Sequence, residues 1–264
     1  MEAQKNLGAN QANLMKSFNK LSSGYRINTA ADDAAGLAIS ESMKSQIRSF
    51  TVADRNASDG VSMAQTAEGA LGEIHGILGR MRELSVQSSN GSLTETDRSF
   101  IQTEFGALQA EIGRIQDSAA FNGRSLVGKD AETLKLQVGL NDTSSDQIDI
   151  EIGGVDLDSV VGDISVDGAE ADNALASLET IDSAITDVST ARSKFGAVMN
   201  RLDVASSNIQ TMRLNLSAAN SRIRDVDVAA ETAALSRNQV LTQAGISVLA
   251  QSNQLPQLAF GLLG

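Results

Sequence analysis

The chain has 264 residues, a formal net charge of −12, 3% aromatic residues, one Pro, and neither Trp nor Cys. The acidity excludes a nucleic-acid binder of the usual basic-patch kind, and the missing cysteines exclude disulfide and thiolate–metal frameworks. Long stretches without proline favour continuous helices, and a core poor in aromatics suits thin helix-on-helix seams of small and aliphatic side chains.

At the N-terminus Leu7, Leu14, Phe18 and Leu21 recur at helical spacing until Ser22-Ser23-Gly24 interrupts them. The pattern resumes with Leu37, Met43, Ile47 and Phe50, and Asp32 or Asp33 is expected in the first turn of that helix, complementing its dipole. Leu71, Ile74, Leu78 and Met81 continue in steps of three and four. Asn90-Gly91-Ser92 reads as a turn, and Thr94 and Asp97 are spaced as a cap opening the next helix. That helix carries Ile101, Phe105, Leu108, Ile112 and Ile115, with Asn122-Gly123 as its stop.

From Leu126 to Gly168 the period changes. Leu134, Leu136 and Val138 alternate with polar residues, as do Ile148, Ile150 and Ile152, around the turn-rich Asn141–Asp146 stretch. Strict alternation on both sides of a polar loop predicts an antiparallel hairpin with one buried face. Leu178, Ile181, Ile185 and Val188 then open a helix. Phe195, Val198, Leu202, Ala205, Ile209, Met212, Leu216, Ala219, Ile223 and Val226 extend it as an unbroken three-four series. Such a heptad seam specifies coiled packing without naming the partner.

The fold class expected is mainly α: a long antiparallel helical bundle or coiled coil built from paired N- and C-terminal segments, with a small β-hairpin region at the distal end. One antiparallel pair does not hide all the apolar residues of the two ends. Val240, Leu241, Ile246, Val248, Leu249, Leu255, Leu258, Phe260, Leu262 and Leu263 are left over, and beyond Arg237 there is no basic residue to seat the tail on a membrane. No run of about 18 apolar residues exists to span one. Packing against copies of the same chain is the reading that accounts for these ends. No catalytic, cofactor or metal site is expected. His75 is the only histidine and lacks a nucleophile to serve, and Asp32-Asp33 and Asp225/Asp227 read as helix-terminal charges. The opening Met1–Asn6 shows no basic-then-apolar leader, so no Sec-type signal peptide is expected.

Several runs, in order, resemble the bacterial flagellins. They are Leu21-Ser22-Ser23-Gly24-Tyr25-Arg26-Ile27-Asn28 with Ala30–Ile39, then Gln65–Leu71 and Arg80–Gln87. Phe121-Asn122-Gly123, Leu136-Gln137-Val138-Gly139, Ser221–Asp227 and Gln243–Gln251 follow. The chain departs from the family pattern in lacking an Ile-Asn-Thr-Asn run near the start, in the stretch that carries the family's export information. Its short middle corresponds to a minimal, core-only form. The resemblance implies inner-core helices at 1–30 and 224–264, rod helices at 31–125 and 173–223, and the hairpin region at 126–172. It implies self-assembly through Leu7, Leu14, Phe18, Leu21, Val240, Ile246, Val248, Leu249, Leu255, Leu258, Leu262 and Leu263 into an extracellular filament that drives swimming. It also implies as partners the flagellar export apparatus, a secretion chaperone, the filament cap and the hook-junction proteins, with no nucleic acid and no membrane. Arg80, Leu84 and Glu104 fall where flagellins sensed by the vertebrate flagellin-sensing Toll-like receptor carry their recognition residues, a stretch that also lies in the family's subunit interface; filament contact is the native role expected. The alternative readings are a hook–filament junction protein, which shares the terminal helices, and a soluble coiled-coil signalling module, which leaves the uncovered ends unexplained.

Overall fold

The computed structural model of the chain describes residues 2–162 and 164–261, the side chains of Ala3 and of 252–261 aside. In chain order these form α1 (Glu2–Ser23), α2 (Ala34–Ser88), α3 (Glu95–Ser118), β1 (Ala120–Phe121), β2 (Arg124–Ser125), β3 (Glu132–Gln137), β4 (Gln147–Ile152), α4 (Asp158–Gly162), α5 (Asp172–Arg224) and α6 (Val228–Gly261). They divide into a terminal unit, Met1–Arg48 with Arg213–Gly264, and a central unit, Ser49–Met212.

In the central unit α2 and α5 run antiparallel. Asp54 meets Ser206, Glu68 meets Arg192, and Arg82 grips Asp182 with two hydrogen bonds of 2.6 and 3.2 Å. Small residues let the two backbones approach: Ala57, Ala64 and Ala67 of α2 are fully buried, and the hydroxyls of Ser85 and Ser177 lie 2.9 Å apart. Larger side chains fill the seam, with Leu71, Ile74, Leu78 and Met81 from α2 and Ile181, Val188, Phe195, Leu202 and Ile209 from α5. This is the aliphatic core that the composition implied.

Helix α3 closes a third side. Thr94 and Asp97 form a reciprocal capping box: the Thr94 hydroxyl accepts from the Asp97 N–H, and the Asp97 carboxylate accepts from the Thr94 N–H. Phe105 and Ile112 are fully buried, and so, one heptad earlier, is Arg98. Its guanidinium has no carboxylate partner among the described residues and donates to the carbonyls of Ser88, Asn90, Gly168 and Ala169. Farther along the helix, Gln102 accepts from the Val166 N–H, and Gln109 donates to the Val160 and Ile164 carbonyls. Three polar side chains therefore tie the end of α4 and the segment before α5 to α3, satisfying backbone groups at helix ends and in the connector.

The hairpin forms in the register that alternation requires. β3 and β4 pair antiparallel with Leu134 opposite Ile150 and Leu136 opposite Ile148, so both apolar sets share a face, with Ile148, Ile150 and Ile152 buried. Val138 is buried but lies just past β3, where its N–H reaches the Asp146 carbonyl. Leu136 seats over Gly60 of α2, where a Cβ would come within 2.2 Å of its Cδ1. Asn122-Gly123 does not itself stop α3, which ends at Ser118. It is the tight turn between β1 and β2, with φ of 48° and 79°, the left-handed pair that a two-residue hairpin demands.

In the terminal unit α1 lies antiparallel to α6: Lys20 approaches Glu231 at 3.9 Å, and Leu7 packs at Gly245. The adjoining parts of α2 and α5 meet through Asn220, which donates to the Ser40 carbonyl, and through an ion pair between Arg224 and Glu41. Neither Asp32 nor Asp33 stands in the first turn of α2. Asp33 precedes the helix and caps it, accepting from the Gly36 N–H at 2.9 Å. Asp32 instead folds the connector, accepting from the N–H groups of Asn28 and Thr29 and pairing with Lys16. The Thr29 N–H foremost, then Lys16, lowers its pKa to about 2. The heptad series of α5 is continuous as predicted but not uniformly covered: Phe195 to Ile209 is buried except half-buried Ala205, Met212 is 44% exposed, Leu216, Ala219 and Ile223 are half-buried, and Val226 falls beyond the helix end.

Candidate assembly surface

The described residues of the terminal unit contain one large buried apolar side chain, Ile27, at 1% exposure. Two helix-to-helix pairings, with no third layer among the described residues, leave the apolar stripes only partly covered. Leu7, Leu14 and Leu21, one heptad apart, are half-buried, as is Leu249. Phe18, Val240, Ile246 and Val248 are more than half exposed, Phe18 at 63% and Val240 at 64%. Leu255 and Leu258 fall within α6, their side chains outside those described, and Leu262 and Leu263 lie outside the described residues.

Five exposed large apolar residues in this unit escaped the stripes read from the sequence: Met15, Tyr25, Ile39, Leu214 and Val228. Met15 was the legible one. It lies three residues before Phe18, on the flank of the stripe that Leu14, Phe18 and Leu21 form. Residues 238–264 carry no charged side chain at all, so nothing along this run of α6 repels a second copy, and the net charge resides elsewhere. No described helix is long and apolar enough to cross a membrane. Each half-exposed aliphatic or aromatic side chain here withholds on the order of 1–2 kcal/mol of burial from the lone chain.

A second predicted cluster belongs to the central unit. Arg80 donates to Glu104 and to Glu83, both at 2.9 Å, and those hydrogen bonds, Glu83's first, raise the guanidinium's pKa. The Arg80 and Glu104 side chains are about half exposed and that of Glu83 more so, so the pairs contribute little to stability but present an ordered charged patch. Leu84 does not join them. It is 2% exposed and packs in the core, where it holds the turn of α2 that carries Arg80; as a contact residue it is corrected to a packing one.

Nothing in these surfaces resembles a reaction centre. His75 sits on α2 with Nδ1 buried and without a hydrogen-bond partner, and no group of three or more potential metal ligands occurs among the described residues. A well-packed helical unit joined in one chain to helices with uncovered apolar faces defines a structural subunit built for assembly.

The comparisons give that class its family. Residues 1–131 match the model of the bacterial flagellin N-terminal helical region, and 178–263 match the bacterial flagellin C-terminal helical region. A flagellin of Halalkalibacterium halodurans is 46% identical over 100% of this chain and 96% of its own, and a flagellin of Bacillus subtilis is 42% identical over 97% and 95%. The solved flagellin of Bacillus cereus is 31% identical, with a TM-score of 0.51 over 63% of this chain and 94% of that one. The chain belongs to the bacterial flagellin family, whose members are structural subunits of the flagellar filament rather than enzymes.

Proposed function

We propose that the terminal unit is the polymerising part of this filament subunit, with residues 1–30 and 224–264 forming the inner self-associating layer and 31–125 with 173–223 the rod layer. The observation that carries this reading is the near absence of a core in the terminal unit beside its many exposed apolar side chains. Contacts from one copy to a different surface of the next do not close on themselves, and repeated they generate a helical tube. Burial of the open stripes in that tube supplies the driving force, and the filament then transmits motor torque without chemistry.

The half-exposed Arg80–Glu104 pair supports a contact between neighbouring subunits on the central unit, and the same patch is what a flagellin-sensing Toll-like receptor would meet on a free monomer. The further partners on this reading are the flagellar export apparatus, a secretion chaperone, the hook-junction proteins and the filament cap, and the site of action is the extracellular filament.

The test is seeded polymerisation of the purified chain, imaged by electron microscopy. Long uniform tubes are expected from the full chain and none after deletion of residues 224–264. Tubes from the truncated chain would show that the tails do not drive assembly.

A further inference from the structure

Two Asn-Gly steps occur in the chain, Asn90-Gly91 and Asn122-Gly123, and both asparagines are exposed to water. Such a step can close on itself, because glycine leaves its nitrogen unhindered beside the asparagine side-chain amide. The folded central unit equips the two very differently. Asn122 is held at φ 48° in the tight turn between β1 and β2, whose left-handed backbone must rotate before a ring can form. Its side-chain amide has no hydrogen-bond partner among the described residues.

Asn90 sits between α2 and α3 among groups that act on both reacting atoms. Its Oδ1 accepts from the Ser92 N–H at 3.1 Å, an Asx turn that folds the side-chain amide back over the Asn90–Gly91 peptide bond. The carbonyl of that same peptide bond accepts from the Leu93 N–H at 3.2 Å and from Arg98 Nη2 at 3.3 Å. Arg98 is 2% exposed, so water screens its charge little. Ring closure requires the Gly91 nitrogen to give up its proton, and a guanidinium on the conjugated carbonyl stabilises the resulting anion. It also places negative charge on Oδ1 as the nitrogen adds to Cγ, where the Ser92 N–H already points.

We propose that Asn90-Gly91 is a self-modifying site at which Arg98 and the Ser92 N–H promote deamidation, and that its product is an isoaspartate whose carboxylate pairs with Arg98. Solvent hydroxide removes the Gly91 N–H proton, and the nitrogen bonds to Asn90 Cγ. The Cγ–Nδ2 bond breaks, and ammonia leaves with a proton taken from water, which regenerates hydroxide. A five-membered succinimide remains. Water then adds to the former backbone carbonyl, the one Arg98 polarises, and its bond to the Gly91 nitrogen breaks as that nitrogen regains a proton. The main chain thereafter runs through Cβ, and the old carbonyl carbon becomes a free carboxylate on the guanidinium. One water is consumed and one ammonia released. A buried cation that donates only to carbonyls thereby gains a carboxylate partner. None of these steps depends on assembly.

The purified full chain, aged folded in mildly alkaline buffer, tests this, with peptide mass spectrometry following deamidation at each asparagine. Isoaspartate is told from aspartate by methyl transfer from S-adenosylmethionine, catalysed by an isoaspartyl carboxyl methyltransferase. Asn90 is expected to react about tenfold faster than Asn122, with isoaspartate as nearly the sole product. In denaturant the two rates should converge and the isoaspartate share at Asn90 should fall. Arg98→Met should lower the folded-state ratio of the Asn90 to the Asn122 rate by about tenfold. The ratio is the readout because a merely loosened fold would speed both sites. An unreactive Asn90, equal rates in the folded wild-type chain, or an unchanged ratio in Arg98→Met would overturn the site. Aspartate as the main product at Asn90 would overturn the pairing with Arg98 alone.

Discussion

The central and terminal units are made of the same material and solve opposite problems. Both are pairs of long antiparallel helices with aliphatic seams, and α2 and α5 contribute to each. In the central unit a third helix and a hairpin complete the enclosure, and side chains such as Phe105, Leu78 and Ile150 are sealed from water. In the terminal unit no described third layer exists, and equally apolar residues remain open. The periodicity of α5 passes from one to the other without a change in pattern. An apolar repeat therefore specifies a face that wants covering, and the number of neighbouring layers decides whether the same molecule covers it.

If that division is right, substitutions should separate folding from assembly. The largest effect is expected from Phe105→Ala, which empties a fully enclosed site and should cost about 3–5 kcal/mol in denaturant unfolding monitored by circular dichroism. A cost under about 1 kcal/mol would mean that the central unit is not the stable half. Next is Arg98→Met, which keeps the volume but strands the Ser88, Asn90 and Ala169 carbonyls; a loss of about 2–3 kcal/mol is expected in the same measurement. Phe18→Ala should move monomer stability by less than about 0.5 kcal/mol. The same substitution should raise the concentration needed for filament growth by about tenfold, the equivalent of about 1.4 kcal/mol per subunit contact. A large loss of monomer stability with normal growth would invert the comparison.

The smallest effect concerns acid. Asp32 has its pKa lowered to about 2, below the unfolded carboxylate value, so its stabilisation is complete above the ordinary range and fades only as pH falls through about 2. The Asn28 and Thr29 amides should accordingly stay protected at about pH 3 in hydrogen exchange. Loss of that protection near pH 4, roughly where a free carboxylate titrates, would show that the connector is not held by this charge.

Much of this was legible before any coordinates. Alternation of Leu134 and Leu136 with Ile148 and Ile150 defines a hairpin register because a one-residue slip would turn the whole set outward. Thr94 and Asp97 declare a cap through spacing alone. What escaped was whatever depends on a neighbour distant in sequence. Asn122-Gly123 reads equally as a stop or as a two-residue turn, and strands as short as β1 and β2 have no alternation to betray them. Asp32 and Asp33 look interchangeable, yet one caps α2 and the other folds the connector. Arg98 reads as a surface charge, although its heptad relation to Phe105 and Ile112 points inward. The open face of the terminal unit was visible as surplus apolar residues, but Leu84 could not be told from its exposed neighbours without the packing around it.

The scarcity of aromatics has a practical outcome. Tyr25 is the only tyrosine and there is no tryptophan, so every photon of intrinsic emission excited beyond the phenylalanine band comes from the ring beneath Arg224. Unlabelled subunits thereby carry their own optical probe in the terminal unit, and its quenching, polarisation and lifetime can be followed while filaments grow.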